Sequence, residues 1–202
     1  MKKQEKHFFH ITCAPGLESA LESELKELGL RRLRVGRGAV RFQGSFRAAL
    51  RVVLWSRVAS RVLMELVRVG ARDGDELYDE VLHLPWEDRL SAKSTFAIDV
   101  IGTSRSLRHT HYTSQRIKDG ICDRLRELWG VRPSIDPHNP TVQLVGRLYR
   151  DECTLSFDLA GERLHRRGYR AEQVEAPLKE NLASGILYLA GWDGASPLMD
   201  PM

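Results

Sequence analysis

The chain has 202 residues, of which 42% are hydrophobic and 29% are charged, and its formal net charge at neutral pH is +4. These values are typical of a soluble globular protein with one large or two small domains. No run of about 18 apolar residues is present, so we expect no transmembrane helix, and no signal peptide follows the basic N-terminus. The three cysteines are far apart and no metal-ligand spacing occurs, so we expect a reduced, cytoplasmic protein without a metal site.

The basic residues are mostly arginines, since lysine occurs at only seven positions. An arginine side chain is a planar fork that binds phosphate through two hydrogen bonds and stacks on bases, which lysine cannot do. The bias therefore favours a nucleic-acid partner, although a GC-rich genome would produce the same preference for arginine.

The N-terminal elements form a small α+β unit. Residues 7–13 (HFFHITC) predict a strand, and leucines at positions 17, 21, 25 and 28 predict an amphipathic helix that Gly29 ends. Two short strand-like pieces within 32–43 predict a hairpin around Gly36 and Gly38. The order over the first 43 residues is therefore β-α-β-β.

The next region is helical in pattern, from a cap at Ser45 onward. Its predicted buried face carries Phe46, Leu50, Val53 and Leu54. The end of this region, residues 61–69, is rich in β-branched side chains and also fits a strand. A short helix over 75–84 and a strand over 95–101 follow.

The second half of the chain predicts a long helix and a hairpin. Ser114 is the predicted cap of a helix that Gly130 ends, with an apolar stripe at Ile117, Ile121, Leu125 and Leu128. A loop over 132–140 leads to strands at 142–148 and 153–159. A basic linker over 161–175, a helix over 179–190 and the start of a strand at 198–202 complete the chain.

Two basic clusters are candidate phosphate or nucleic-acid contacts. The first lies in the loop 102–118, before and on the first turn of the long helix, where unpaired amides and a partial positive charge favour phosphate. The second lies in the linker, where basic residues surround Tyr169. With one arginine from the 132–140 loop, the candidates are Arg105, Arg108, His109, Arg116, Lys118, Arg132, Arg166, Arg167 and Arg170.

Each cluster also has a plainer interpretation. The first would be a solvated basic loop, to which His111 adds another titratable group, and its Tyr112 would pack in the core rather than stack on a base. The second would be a linker whose arginines pair with Glu162, Glu172 and Glu175.

Seven segments of the chain are distinctive in their order and spacing. They are TCAPGLESALESELKELG (12–29), GAVRFQG (38–44), LWSRVASRVLMEL (54–66), DELYDEVLHLPWED (75–88), QRIKDGICDRLRELWGVRPSID (115–136), TLSFDLAGERLHRRGYR (154–170) and APLKENLASGIL (176–187). Together they resemble the bacterial THUMP-containing RNA methyltransferases, the group that modifies guanine N2 in large-subunit ribosomal RNA. No single segment is specific, and the assignment depends on their collinearity.

The resemblance implies an α+β fold class. A ferredoxin-like N-terminal unit would occupy 1–44, an α/β THUMP domain 45–160 and a linker 161–175, in which the second basic cluster would brace the domains. Residues 176–202 would form the first helix and strand start of a Rossmann-like methyltransferase domain. The apolar stripe of that helix (Leu178, Leu182, Ile186 and Leu189) would pack on the methyltransferase sheet, so we expect the helix to be unsupported in this chain.

The resemblance also implies S-adenosylmethionine as cofactor and RNA, specifically large-subunit ribosomal RNA, as partner. The family's first cofactor motif, D-P-[MF]-C-G-S-G-T, matches only as far as residues 200–202, so this chain alone is predicted to be inactive. The residues implied to line the cofactor pocket are Pro177, Lys179, Glu180, Asn181, Asp200 and Pro201. The alternative is a stand-alone RNA-binding or adaptor module, against which the 176–187 segment argues.

Overall fold

The computed structural model describes residues 6–168, 175 and 177–201. These residues form two compact units, one made of Met1–Val62 with Glu162–Met202 and the other of Leu63–Gly161. In chain order the elements are β1 (His7–Thr12), α1 (Glu18–Glu27), β2 (Arg34–Gly36), β3 (Ala39–Gly44), α2 (Phe46–Trp55), β4 (Arg61–Gly70), α3 (Gly74–Leu82), a 3₁₀ turn (Trp86–Asp88), β5 (Thr95–Ile101), α4 (Thr110–Trp129), β6 (Ser134–Ile135), β7 (Val142–Tyr149), β8 (Glu152–Asp158) and α5 (Glu180–Leu189).

The first unit contains an antiparallel sheet in the order β2-β3-β1. Alternate side chains of β1 and β3 are buried, and the rings of Phe9 and Phe42 stack with their centroids 5.0 Å apart. Side chains at the intervening positions, such as Phe8 and Arg41, are exposed. Because side chains alternate along a strand, one face of this sheet packs in the core, and among the described residues the other face keeps Phe8 and Arg41 exposed although His10 on it is buried.

Helix α2 buries a different face from the predicted one. Phe46, Leu50 and Leu54 are exposed, whereas Ala49 and Val52 are fully buried. The prediction assigned the large apolar residues to the buried face, but the smaller side chains of Ala49 and Val52 face the core. The alternative expectation of a strand at the end of this region is confirmed by β4.

The order β1-α1-β2-β3-α2-β4 is the βαββαβ pattern of a ferredoxin-like unit. Such a unit needs its second helix and the strand that follows. The compact unit accordingly runs on to Val62, beyond the boundary predicted after residue 44.

The second unit has a sheet in the order β4-β8-β7-β5-β6, in which β5 runs parallel to both β6 and β7. Its core is built from α3, α4 and the sheet, with Leu77, Ile117, Ile121, Phe96 and Leu144 fully buried. Strand β6 lies within the region predicted as a loop, where it pairs with β5 through only two residues.

Helix α4 begins at Thr110, four residues before the predicted cap. His109 is the N-cap residue, and the Ser114 hydroxyl donates to the His111 carbonyl at 2.7 Å instead of capping. Gly130 ends the helix with φ 68°, as its position after the apolar stripe predicted. Leu128, assigned to that stripe, is exposed.

The C-terminal helix α5 packs on the first unit, which corrects the expectation that it is unsupported. Its buried residues are Asn181 and Gly185, and Gly185 lies against Leu17 at the start of α1. The apolar stripe faces away, since Leu178, Ile186 and Leu189 are all about half exposed or more. Residues 198–201 form no strand, and Met202 lies outside the described residues.

Two general findings bear on function. Across the described residues, no helix combines the length and the apolar content needed to cross a membrane. In the same part of the chain, no three histidine, cysteine, aspartate or glutamate side chains are grouped as metal ligands would be.

Candidate nucleic-acid interface

The loop between β5 and α4 is held in place by its own backbone and by one buried side chain. Leu107 is 1% exposed and belongs to the core of the second unit, and its amide and carbonyl both bond to Ser104. Arg105 and Arg108 lie on either side of that anchor and are exposed. Arg108 Nε donates to the Arg105 carbonyl at 3.1 Å. The loop therefore presents two exposed arginines from a fixed backbone, and the ion pairs described for this part of the chain include neither of them.

The start of α4 adds to the positive potential at this place. The helix has 20 residues, no acidic residue in its first turn, and no side-chain hydrogen bond at its N-cap, His109. The amides of a helix's first turn and its macrodipole together favour an anion. His109 and His111 are exposed there beside the two arginines.

Arg116, predicted to contact RNA, instead joins α4 to the beginning of α3. Its Nε donates to the Gly74 carbonyl at 3.0 Å, and its Nη2 lies 2.8 Å from the Asp75 carboxylate. Its guanidinium also lies 4.6 Å from the centre of the Tyr78 ring. These three contacts give Arg116 a structural role and leave it less available to phosphate.

Tyr112 is neither a core residue nor a free stacking platform. It is 49% exposed, and its ring lies against Gly74, where an added Cβ would come within 2.9 Å of a ring carbon. The glycine therefore allows the first turns of α3 and α4 to approach closely.

Lys118 and Arg132 share a carboxylate. Their nitrogens lie 3.1 Å and 3.6 Å from Asp119 Oδ1, and Lys118 also donates to Gln115. A hydrogen bond with the Cys122 thiol raises the pKa of Arg132. Because both cations are partly neutralised within the unit, they contribute less to an RNA surface than Arg105 and Arg108 do.

The second basic cluster divides into an exposed residue and an anchored one. Arg166 and Arg167 are both exposed, but Arg167 donates to the carbonyls of Val53 and Ser56 at 2.8 Å and of Leu54 at 3.1 Å. These carbonyls lie at and just after the C-terminal end of α2, where a cation is favoured. Arg170, with Tyr169 and Glu172, lies outside the described residues.

The same α2–β4 turn is held from its other side by a buried carboxylate that the sequence reasoning missed. Glu24 of α1 is 3% exposed and accepts hydrogen bonds from the Ser56 hydroxyl and, at 2.7 Å, from the Arg57 amide. Its position between Leu21 and Leu25 places it near the buried stripe of α1, and this position could have predicted that Glu24 is buried. Together, Glu24 and Arg167 fix the turn through its amides and its carbonyls, respectively.

The residues implied to line a cofactor pocket do not enclose a ligand in the described part of the chain. Pro177, Lys179, Asp200 and Pro201 are exposed and Glu180 is half-buried. Asn181 is 4% exposed and donates from Nδ2 to the Ser60 hydroxyl at 2.8 Å, which makes it an anchor for α5. Their role towards the cofactor therefore stays a prediction.

Family models match the chain in three consecutive parts. That of the RlmL ferredoxin-like domain matches residues 9–63, that of the THUMP domain 71–158, and that of the RMKL-like methyltransferase domain 167–202. The matches confirm the ferredoxin-like and THUMP parts of the predicted fold class.

Known proteins are similar over nearly the whole of this chain. A ribosomal RNA large subunit methyltransferase K/L of Syntrophotalea carbinolica is 45% identical over 198 residues, which cover 96% of this chain and 28% of the relative. The crystal structure of a predicted N6-adenine-specific DNA methylase from Listeria monocytogenes has a TM-score of 0.78 and 31% identity, covering 93% of this chain and 49% of that one. That of SMU.472, a putative methyltransferase complexed with SAH, has a TM-score of 0.77 and 28% identity, covering 96% and 52%.

The chain thus spans little more than a quarter of the length of the curated relatives that it matches, at 28% in the case above. With three consecutive family models matched between residues 9 and 202, it belongs to the THUMP-containing, RlmL/RMKL-like methyltransferase family, and it is similar to the N-terminal part of ribosomal RNA large subunit methyltransferases K/L.

Proposed function

We propose that this chain is the RNA-binding part of an S-adenosylmethionine-dependent methyltransferase that acts on guanine N2 of large-subunit ribosomal RNA. The proposal is supported by the name of the curated relatives, by the SAH complex of a solved relative and by the THUMP match over 71–158. The resemblance to enzymes that modify guanine supports the choice of target atom.

The observation that carries the proposal is the exposed cluster at the start of α4. Arg105, Arg108, His109 and His111 surround a helix N-terminus whose first turn lacks an acid. Phosphate contacts from such groups position a nucleic acid without reading its sequence. Arg166 is a further candidate, while Arg116, Lys118, Arg132 and Arg167 have partners within the protein.

The part that this chain plays is to hold and orient the RNA. An enzyme that modifies a base takes the target nucleotide out of its stack, and the alignment of its amine with the methyl donor contributes much of the rate. S-adenosylmethionine would supply the methyl group. We propose that Pro177, Lys179, Glu180, Asp200 and Pro201 face the cofactor only when the rest of a methyltransferase domain is present.

The test of RNA binding is its salt dependence. Binding of a structured large-subunit ribosomal RNA fragment is measured by fluorescence anisotropy between about 50 and 200 mM salt for the parent chain and for R105A/R108A. Each phosphate contact contributes about −0.9 to the slope of log affinity against log salt, so the double variant should lose about two contacts. Arg116 is not substituted in this variant, because it holds α4 against α3.

The matched control is R89A/R126A, which removes two exposed arginines elsewhere in the second unit. It lowers the net charge equally and should change the slope by less. If R105A/R108A keeps the parental slope, the start of α4 is not a phosphate site.

We further propose that the 202 residues alone do not transfer methyl groups, because they lack the glycine turn that follows residues 200–202 in the family motif. A radiolabelled transfer assay with ribosomal RNA tests this, and incorporation above background would contradict it. A stand-alone module is disfavoured because Leu178, Ile186 and Leu189 would leave an apolar stripe in water.

A further inference from the structure

The open face of the β2-β3-β1 sheet carries an exposed aromatic ring among basic and polar side chains. Phe8 of β1 is 56% exposed and lies directly opposite Gln43 of β3. Two residues further along the same face, His10 lies opposite Arg41, which in turn lies opposite Arg34 of the edge strand β2. Across the three strands, this row therefore places two exposed arginines beside the ring, with the largely buried His10 at its end.

Arg41, on the middle strand β3, is held in place by its neighbour on β1. Arg41 Nε donates to His10 Nδ1 at 3.2 Å, and His10 is only 7% exposed, so the anchor is itself fixed. Phe8 and Arg41 are diagonal neighbours across the β1–β3 pair, a distance that long side chains reach. The ring and the guanidinium thus belong to one surface.

The pairing of Arg34 with Arg41 is unfavourable in a purely structural role. Like charges directly opposite each other on adjacent strands destabilise a sheet. Among the outward positions of β1, β2 and β3, which are Phe8, His10, Thr12, Arg34, Gly36, Ala39, Arg41 and Gln43, none is a carboxylate that would offset this repulsion. A bound anion from outside the protein would offset the repulsion between the two arginines.

We propose that this open face, defined by Phe8, Gln43, Arg41 and Arg34, is a stacking platform for a short single-stranded RNA segment. Phe8 would stack on one base, and the two arginines would contact the phosphates beside it, as in other sheet surfaces that bind single strands. The assignment rests on the proposed RNA-binding function but concerns the ferredoxin-like unit, whose role in binding is separate from that of α4.

The composition of the face favours RNA over a protein segment. A β-sheet face that binds an apolar protein surface would present several neighbouring apolar side chains, whereas Phe8 is the only aromatic among the described outward positions of β1–β3. A single ring with arginines matches one base and its phosphates. The Gln43 side chain, opposite the ring, offers both a donor and an acceptor to a base edge.

The experiment measures the affinity of a fluorescein-labelled hexa-adenylate for the chain by anisotropy. Phe8→Leu keeps apolar volume and removes the π-face, so affinity should fall about 5- to 150-fold, the equivalent of one lost base stack. Phe8→Trp should retain parental affinity. R34A/R41A should weaken binding and flatten its salt slope by about one to two contacts.

Phe46→Leu, a change of another exposed aromatic in the same unit, is the control and should leave hexa-adenylate affinity unchanged. Thermal melting of each variant tests whether the fold is retained. We expect it to be, because Phe8 lies outside the core. Parallel titrations with the structured ribosomal fragment separate the two proposals, because the α4 surface should still bind it when Phe8 is changed.

Equal hexa-adenylate affinity for the parent and Phe8→Leu would overturn the stacking platform, while R105A/R108A could still support the α4 surface. Failure of the parent to bind either RNA would overturn both proposals. Sedimentation without RNA tests whether the parent self-associates. If Phe8→Leu abolishes self-association and leaves RNA affinity unchanged, the face joins two copies, which would also overturn the RNA assignment.

Discussion

Gly185 of α5 lies directly on the side chain of Leu17, so that a Cβ added to the glycine would fall 2.8 Å from Leu17 Cδ2. Leu17 is 3% exposed and has little room to move. Gly185→Leu should therefore displace α5 from α1, at a cost of about 1–3 kcal/mol for overpacking. Hydrogen exchange by mass spectrometry should show faster exchange across α5.

The choice of leucine separates packing from helix propensity. Leucine favours a helix more than glycine does, by nearly 1 kcal/mol, so faster exchange would come only from lost packing. Ser184→Ala, at the neighbouring half-buried position, is the control. Unchanged protection in Gly185→Leu would show that α5 does not depend on this contact.

Arg167→Ala should destabilise the first unit. It removes three hydrogen bonds to the carbonyls of Val53, Leu54 and Ser56, which lie at the end of α2. Because these bonds are largely exposed, the expected loss in the free energy of unfolding is about 1–2 kcal/mol. Urea denaturation followed by circular dichroism measures it, and Arg166→Ala, at an exposed neighbour, should have little effect. Equal effects for the two variants would count against the anchoring role.

Gly102→Ala should cost more stability than Gly130→Ala. Both glycines have positive φ, +83° and +68°, so alanine strains each by about 1–2 kcal/mol. Only at Gly102 does the new Cβ also meet a backbone atom, the Leu148 carbonyl oxygen at 2.5 Å, whereas nothing lies within 4 Å at Gly130. We expect Gly102→Ala to lower the free energy of unfolding by about 1–3 kcal/mol more than Gly130→Ala does. Urea denaturation of both variants measures the difference.

The same change should disturb the RNA surface, because Gly102 begins the loop that carries Arg105 and Arg108. Affinity for the structured RNA should therefore fall in Gly102→Ala and not in Gly130→Ala. Equal stability of the two variants would mean that the loop adjusts to the added methyl group.

Glu18→Gln should reduce stability at neutral pH and matter less in acid. The Glu18 carboxylate accepts from the amides of Gly38 at 2.7 Å and Gly16 at 2.8 Å, and these bonds, the first of them above all, lower its pKa below 4.5. A glutamine side chain has a single acceptor oxygen, so it loses one of the two bonds.

The direction of the pH dependence follows from that shift. A carboxyl group with a lowered pKa in the folded state contributes stability above its unfolded pKa and loses it as pH falls through the lower folded value. The difference in urea midpoint between the parent and Glu18→Gln should thus be constant near pH 7 and shrink below about pH 4.5. A difference that persists unchanged at pH 3 would contradict this origin.

The sequence by itself determined most of the local structure and the family. Alternation in 95–101 and the leucine period in 17–28 predict β5 and α1 because burial on one face requires those repeats. Gly130 marks the end of α4 because a left-handed residue there favours glycine. Collinear segments identify the family because their order reflects a whole domain arrangement.

Only the tertiary structure decided which charged groups are available. Arg105 and Arg116 are the same residue type in one cluster, yet one is exposed and the other is held by Gly74 and Asp75, 42 and 41 positions away in the chain. Likewise, Arg167 meets carbonyls more than 100 positions earlier, and Asn181 meets Ser60. Such partners leave no local pattern, because helix and strand periodicity records which face is buried and not which distant polar group completes a hydrogen bond.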